Sequence, residues 1–177
     1  MEPIEGIGEV RQVVFVCSGN TCRSPMAEAL ARRAFAALPC PPTVSSAGVA
    51  AADGLGAADC AIEALRRMGV SLHRHRSRPL ERIQPTIGTL VLTMEPWQAH
   101  RARALLPSYV WIEPLLSLLT RWRTPVGSGD AVEDPAGQPL EVYLRVASLL
   151  NEAVATLATH FADRPTGPSR LEDAPEG

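Results

Sequence analysis

Residues 13–28, VVFVCSGNTCRSPMAE, constrain the fold more tightly than any other part of the chain. Four apolar residues, three of them valine, read as a buried strand. Ser24-Pro25 reads as an N-cap followed by proline at the first helical position. Between strand and helix lies a short loop with Cys17 at its start and Arg23 at its end. Such a connection points backbone N–H groups and the positive end of a helix dipole at whatever enters the loop, which suits an anion. Cys17 supplies a nucleophile, expected as the thiolate beside a helix N-terminus and an arginine. Arg23 supplies a planar fork for two phosphoryl oxygens. Gly19 and Asn20 tolerate the left-handed conformations a tight cradle demands, and Ser24 can donate a hydrogen bond to the sulfur. Together these residues ask for phosphate chemistry through a thiolate.

The rest of the chain supplies an α/β frame for that loop. Short β-branched or apolar runs predict further strands over 43–47, 89–94 and 109–112. Helical periodicity predicts helices over 25–38, 57–68, 96–106 and 140–161, the last being the longest amphipathic stripe. Residues 121–139 are dense in Gly, Pro and Asp and read as a long loop. Strands alternating with helices imply one domain, a four-stranded parallel sheet flanked by helices on both faces. Ligands bind such sheets at the carboxyl ends of strands, where the loop after the first strand lies. The domain is expected over 11–161, after an N-terminal extension (1–10) and before a polar, proline-rich and disordered tail (162–177).

Composition narrows the function further. A net charge of -2 over 177 residues suggests neither nucleic acid nor a membrane surface as a partner. All 17 basic residues are arginine, which excludes a lysine-based mechanism. The first ten residues have neither a basic start nor an apolar core, so no signal peptide is expected, nor does any run suit a membrane span. Four cysteines without an export signal imply a reducing, cytoplasmic setting. Cys17 and Cys22 match no zinc spacing, and no metal or other cofactor is expected.

The 13–28 stretch resembles the signature loop of the low-molecular-weight protein tyrosine phosphatase family. Similarity continues through 46–48, 75–78, 90–95 and 133–135, and reaches Tyr143. The resemblance implies that Cys17 attacks phosphorus, that Arg23 and the loop residues Ser18, Gly19, Asn20, Thr21, Cys22 and Ser24 bind the phosphoryl group, and that Asp134 is the general acid. A carboxylic acid on a mobile Gly/Pro loop can protonate the leaving group and then act as base on water. The resemblance also implies that Ser46 and His75, with Asn20 and Ser24, hold the loop in shape. A phosphorylated protein is then the partner. Cys22 fits two roles, a reversible disulfide with Cys17 under peroxide or a small residue filling space. Arg74, Arg76 and Arg78 read as a solvated face, and Cys40 and Cys60 as structural.

Two departures bear on substrate. Many tyrosine-specific members carry isoleucine where this chain has Thr21, and threonine there resembles the bacterial protein-arginine phosphatase branch. The family usually sets an aromatic residue after Asp-Pro, where this chain has Ala136; Trp97, Trp111 and Trp122 are candidates to replace it. Gly56 and Thr89 also depart from the pattern, away from the chemistry. Phosphotyrosine is the expected substrate, with phosphoarginine the alternative under the same mechanism. An arsenate reductase needs a relay cysteine well downstream, and none follows Cys60. A non-catalytic phosphate-binding module would need no Asp-Pro acid.

Overall fold

The computed structural model describes residues 6–163. Residues 1–5 lie outside this range, as does the tail expected at 162–177 beyond its first two residues. Four strands, β1 (Gln12–Cys17), β2 (Thr43–Gly48), β3 (Thr89–Thr93) and β4 (Trp111–Pro114), form one parallel sheet in the order β2-β1-β3-β4. Five α-helices accompany them: α1 (Arg23–Phe35), α2 (Asp59–Arg67), α3 (Pro96–Leu105), α4 (Leu115–Arg121) and α5 (Leu140–Ala162).

Alternation along β1 divides the interior in two. Val13, Phe15 and Cys17 join the larger core with residues of α1, α2, α4 and α5. Val14 and Val16 join a smaller core with Ala99 and Ala102 of α3. Burial on both faces explains why β1 is a continuous apolar run rather than an alternating one. Phe35 of α1 and Phe161 of α5 meet edge to face, with centroids 5.3 Å apart. Ile7 and Val10, ahead of β1, are buried in the larger core, so packing begins before Arg11.

β1 has β2 on one side and β3 on the other, so the strand order reverses direction there and opens a crevice at its carboxyl end. Cys17 is the last residue of β1 and pairs in register with Gly48, the last of β2. The fourth strand begins two residues later than its β-branched pattern suggests, leaving Tyr109 exposed outside it. α4 was not anticipated: its apolar run spans barely two turns, too short to show a period.

Candidate active site

Cys17 Sγ lies 3.0 Å from Ser24 Oγ, both buried. Ser24 is not the N-cap that its place before Pro25 suggests. α1 starts at Arg23, with Cys22 at the cap position making no side-chain capping bond. The Ser24 hydroxyl is used inward instead. It accepts from Asn20 Nδ2 at 2.9 Å and has the Ala47 carbonyl at 3.3 Å as an acceptor for its one proton. A thiolate can only accept, so with Cys17 ionised that proton turns to sulfur.

Asn20 holds the turn of the loop with a φ of 55°. Its Nδ2 also donates to Ser46 Oγ at 2.9 Å, and its Oδ1 accepts from the Arg78 backbone N–H at 2.9 Å. Ser46 Oγ in turn donates to Glu28 Oε2 at 2.6 Å. His75 Nε2 lies 2.7 Å from the Asn20 carbonyl, and since a carbonyl only accepts, Nε2 carries the proton. Asn20, Ser24, Ser46 and His75 thus come together as one network around the loop. Arg78 belongs with them rather than on a solvated face, because its Nε donates to the Ser46 carbonyl at 2.8 Å. Arg74 and Arg76 are exposed.

Arg23 is buried to 2% side-chain exposure, and both of its terminal nitrogens have partners. Nη1 donates to Glu95 Oε1 at 2.6 Å and to the Val132 carbonyl at 3.0 Å, while Nη2 pairs with Asp134 Oδ2 at 3.0 Å. The long loop before α5 is pinned by the Val132 N–H to the Met94 carbonyl at 2.8 Å, just past β3. That anchor brings Asp134 across more than a hundred residues to Arg23 at the end of the loop after β1. Its Oδ1 accepts from the Ala136 N–H at 3.2 Å, so Asp134 makes a turn and meets Arg23 at once.

Thr21 is half-buried, its Oγ1 3.8 Å from Cys22 Sγ. Cys22 is a free thiol whose other side meets Tyr143 Oη at 3.5 Å. Burial pushes the Cys22 thiol above its ordinary 9.0, with the Tyr143 hydroxyl pulling it partly back. Burial, then the bond with Cys22, pushes the Tyr143 hydroxyl up as well, so both groups stay neutral near pH 7. Among the described residues no group of three or more His, Cys, Asp or Glu is arranged to hold a metal ion, and no helix is long and apolar enough to cross a membrane.

Glu95, Gln98 and Glu28 had no role assigned from sequence. Gln98 Oε1 accepts from the Met94 and Glu95 N–H groups, while its Nε2 reaches Ser18 Oγ at 3.2 Å and Glu95 Oε1 at 3.1 Å. A readable trace existed in Glu95-Pro96-x-Gln98, proline at the first helical position and glutamine at the third. Nothing in the pattern said that the Glu95 carboxylate turns toward Arg23.

A parallel α/β sheet whose first strand delivers a cysteine into a short loop at a helix N-terminus, with a buried arginine at the loop's end, defines the class, a cysteine-based phosphatase scaffold. A model of the family described as low molecular weight phosphotyrosine protein phosphatase matches residues 12–165, and the chain belongs to that family. It is 34% identical over 147 residues to a protein-arginine-phosphatase of Bacillus subtilis, covering 82% of this chain and 93% of that protein. It is 34% identical over 99 residues to the probable low molecular weight protein-tyrosine-phosphatase EpsP of Ralstonia solanacearum, covering 56% of this chain and 66% of that one. The solved structure of a low molecular weight protein tyrosine phosphatase from T. tengcongensis superposes with a TM-score of 0.69 at 34% identity, covering 82% of this chain and 96% of that one.

Proposed function

We propose that the protein hydrolyses phosphotyrosine on protein substrates through a phosphocysteine at Cys17. One arrangement carries the proposal: a sulfur within hydrogen-bond reach of a buried hydroxyl, beside a buried arginine that is itself paired with a carboxylate. In the first half-reaction the Cys17 thiolate attacks phosphorus in line with the leaving oxygen. The P–S bond forms, the P–O bond breaks, and Asp134 gives its proton to the leaving phenol oxygen. Arg23 and the loop N–H groups, from Ser18 to Ser24, carry the charge on the equatorial oxygens. In the second half Asp134 takes a proton from water, which attacks phosphorus, and the P–S bond breaks to return the thiolate and inorganic phosphate. Asp134 shares Arg23 Nη2 at 3.0 Å, so phosphoryl oxygens entering the loop draw the guanidinium away and free the carboxyl for the leaving group. Such chemistry needs a free thiol and therefore a reducing, cytoplasmic compartment.

Turnover of phosphotyrosine peptide tests the mechanism. Cys17→Ser is expected to abolish it, and Asp134→Ala to lower kcat by about 10²–10⁴-fold. An Asp134→Ala enzyme at wild-type kcat overturns the acid; hydrolysis retained by Cys17→Ser overturns the covalent route.

Protein phosphoarginine is the second reading, favoured by Thr21. Its hydroxyl can accept from guanidinium N–H groups, whereas a larger apolar side chain packs against a phenol ring. The similarity to a protein named as an arginine phosphatase over most of both lengths supports it. Thr21→Ile is expected to move the ratio of kcat/KM for phosphotyrosine over phosphoarginine peptides upward by about tenfold, on the order of one apolar contact. An unchanged ratio removes Thr21 from the argument.

A further inference from the structure

Four large apolar side chains stand exposed among the described residues: Leu55, Ile87, Trp97 and Tyr109. Ile87 and Tyr109 precede β3 and β4, at the sheet end away from the phosphate loop. Trp97 is different. It is the second residue of α3, just beyond the carboxyl end of β3, and its side chain is tied to the site. Its Nε1 donates to Glu95 Oε2 at 2.9 Å, while Oε1 of the same carboxylate accepts Arg23 Nη1 at 2.6 Å. The indole is thereby tethered one carboxylate away from the guanidinium proposed to hold phosphate, and the residue is 50% exposed. Packing does not account for a tryptophan held there half in water.

The other two tryptophans are spent on the interior. Trp111 and Trp122 meet edge to face at 6.2 Å, and Trp122 lies 4.9 Å from the His160 ring. After Asp134-Pro135, exposed Ala136 offers only a methyl group. Tyr143 meets Cys22 but is buried, so among the described residues the exposed aromatic side chain tied to this site comes from α3 and not from the loop that carries Asp134.

We propose that Trp97 is the subsite for the substrate side chain, its indole face packing on the flat group that bears the phosphoryl, whether the aryl ring of phosphotyrosine or the guanidinium of phosphoarginine. Both are planar π systems one bond or one ester oxygen from phosphorus, and an indole face attracts either by stacking or by cation–π contact. Because Glu95 fixes the indole N–H, the ring waits in place rather than being ordered by each substrate. The proposal rests on the phosphatase reading above.

Steady-state kinetics of the full chain on phosphotyrosine and phosphoarginine peptides test it, with inorganic phosphate as a competitive inhibitor that reports on the loop alone. Trp97→Ala is expected to raise KM about tenfold, the scale of one aromatic contact, with the loss falling on KM rather than kcat and the Ki of phosphate unmoved. Trp97→Phe keeps a flat face without the N–H donor and is expected to restore most of the wild-type KM. A loss confined to one peptide supports the proposal and names the planar group. An active wild type whose KM ignores Trp97→Ala overturns this proposal alone. So does a Ki for phosphate that rises in step with KM, or a Trp97→Phe that behaves like Trp97→Ala, since either means that Trp97 acts only through Glu95 and Arg23. A wild-type protein inert toward both peptides sinks the phosphatase reading, and the subsite with it.

Discussion

Asn20 shows how much of this site depends on one side chain. A left-handed backbone at a residue other than glycine costs about 1 kcal/mol, and here it sits fully buried. What offsets the strain is that every polar group of the side chain is bonded: two donors to Ser24 and Ser46, and one acceptor to Arg78 N–H. Asn20→Asp keeps the shape and the tolerance for positive φ but replaces two donors with an acceptor. Ser24 and Ser46 then face a carboxylate oxygen, and each must turn its proton to it, Ser24 away from Cys17 and Ser46 away from Glu28. The variant is expected to lose about 2–3 kcal/mol of stability, within the range for buried hydrogen bonds left unmade. Its kcat is expected to fall about ten- to hundredfold, because the Cys17 sulfur loses a fixed donor. A kcat equal to wild type at saturating phosphotyrosine peptide would show that the network holds the fold and not the nucleophile. Asn20 and the serines of this network were legible in sequence, Asn20 because it tolerates a left-handed turn and the serines through the resemblance; Gly19, expected to share that conformation, does not take a positive φ. Arg78 was misread because half of its contribution is a backbone N–H, which belongs to every residue and marks none.

At the scale of elements, the loop keeps its shape because β2 ends against it. A Cβ built on Gly48 would lie 2.4 Å from the Ser18 carbonyl oxygen and 3.0 Å from the Asn20 nitrogen, both backbone atoms of the loop. Neither can swing aside as a side chain would. Gly48→Ala is therefore expected to push the loop off its seat, raising the Ki of inorganic phosphate by about tenfold or more and costing about 1–3 kcal/mol. Gly8→Ala, with nothing within 4 Å, is the control and should leave both quantities unchanged. If Gly48→Ala binds phosphate like wild type, the close approach is not what shapes the cradle. The elements that sequence captured well are those with a strong period or a doubly buried apolar run: β1, β3 and α5. The short ones were harder, since α4 and the start of β4 are set by packing onto α5 and β3 and not by any pattern of their own. The start of α1 moved for a related reason, because the loop needed Ser24 for the sulfur more than the helix needed it for a cap.

Across the whole molecule, the loop that carries Asp134 is rooted in a small ring cluster packed against the larger core. The loop leaves α4 at Trp122 and Thr124, and both meet His160 near the end of α5. Thr124 Oγ1 lies 3.0 Å from His160 Nε2, and the Trp122 ring 4.9 Å from the imidazole. Burial pushes His160 below its ordinary 6.5, with Asp163 partly opposing the shift. The unfolded chain thus takes up this proton at a higher pH than the folded one. His160 costs no stability above about 6.5; as the pH falls below that value the unfolded state gains, with a slope of up to about 1.4 kcal/mol per unit until the folded imidazole also protonates. Urea midpoints at pH 7.5 and 5.5 measure this loss directly. The wild type is expected to lose more stability between the two than His160→Gln, which keeps a polar atom for Thr124 but has no proton to gain. The other three histidines are common to both proteins and cancel in the comparison. An equal loss in the two would mean that His160 is not the group whose protonation loosens the root of the loop that carries Asp134.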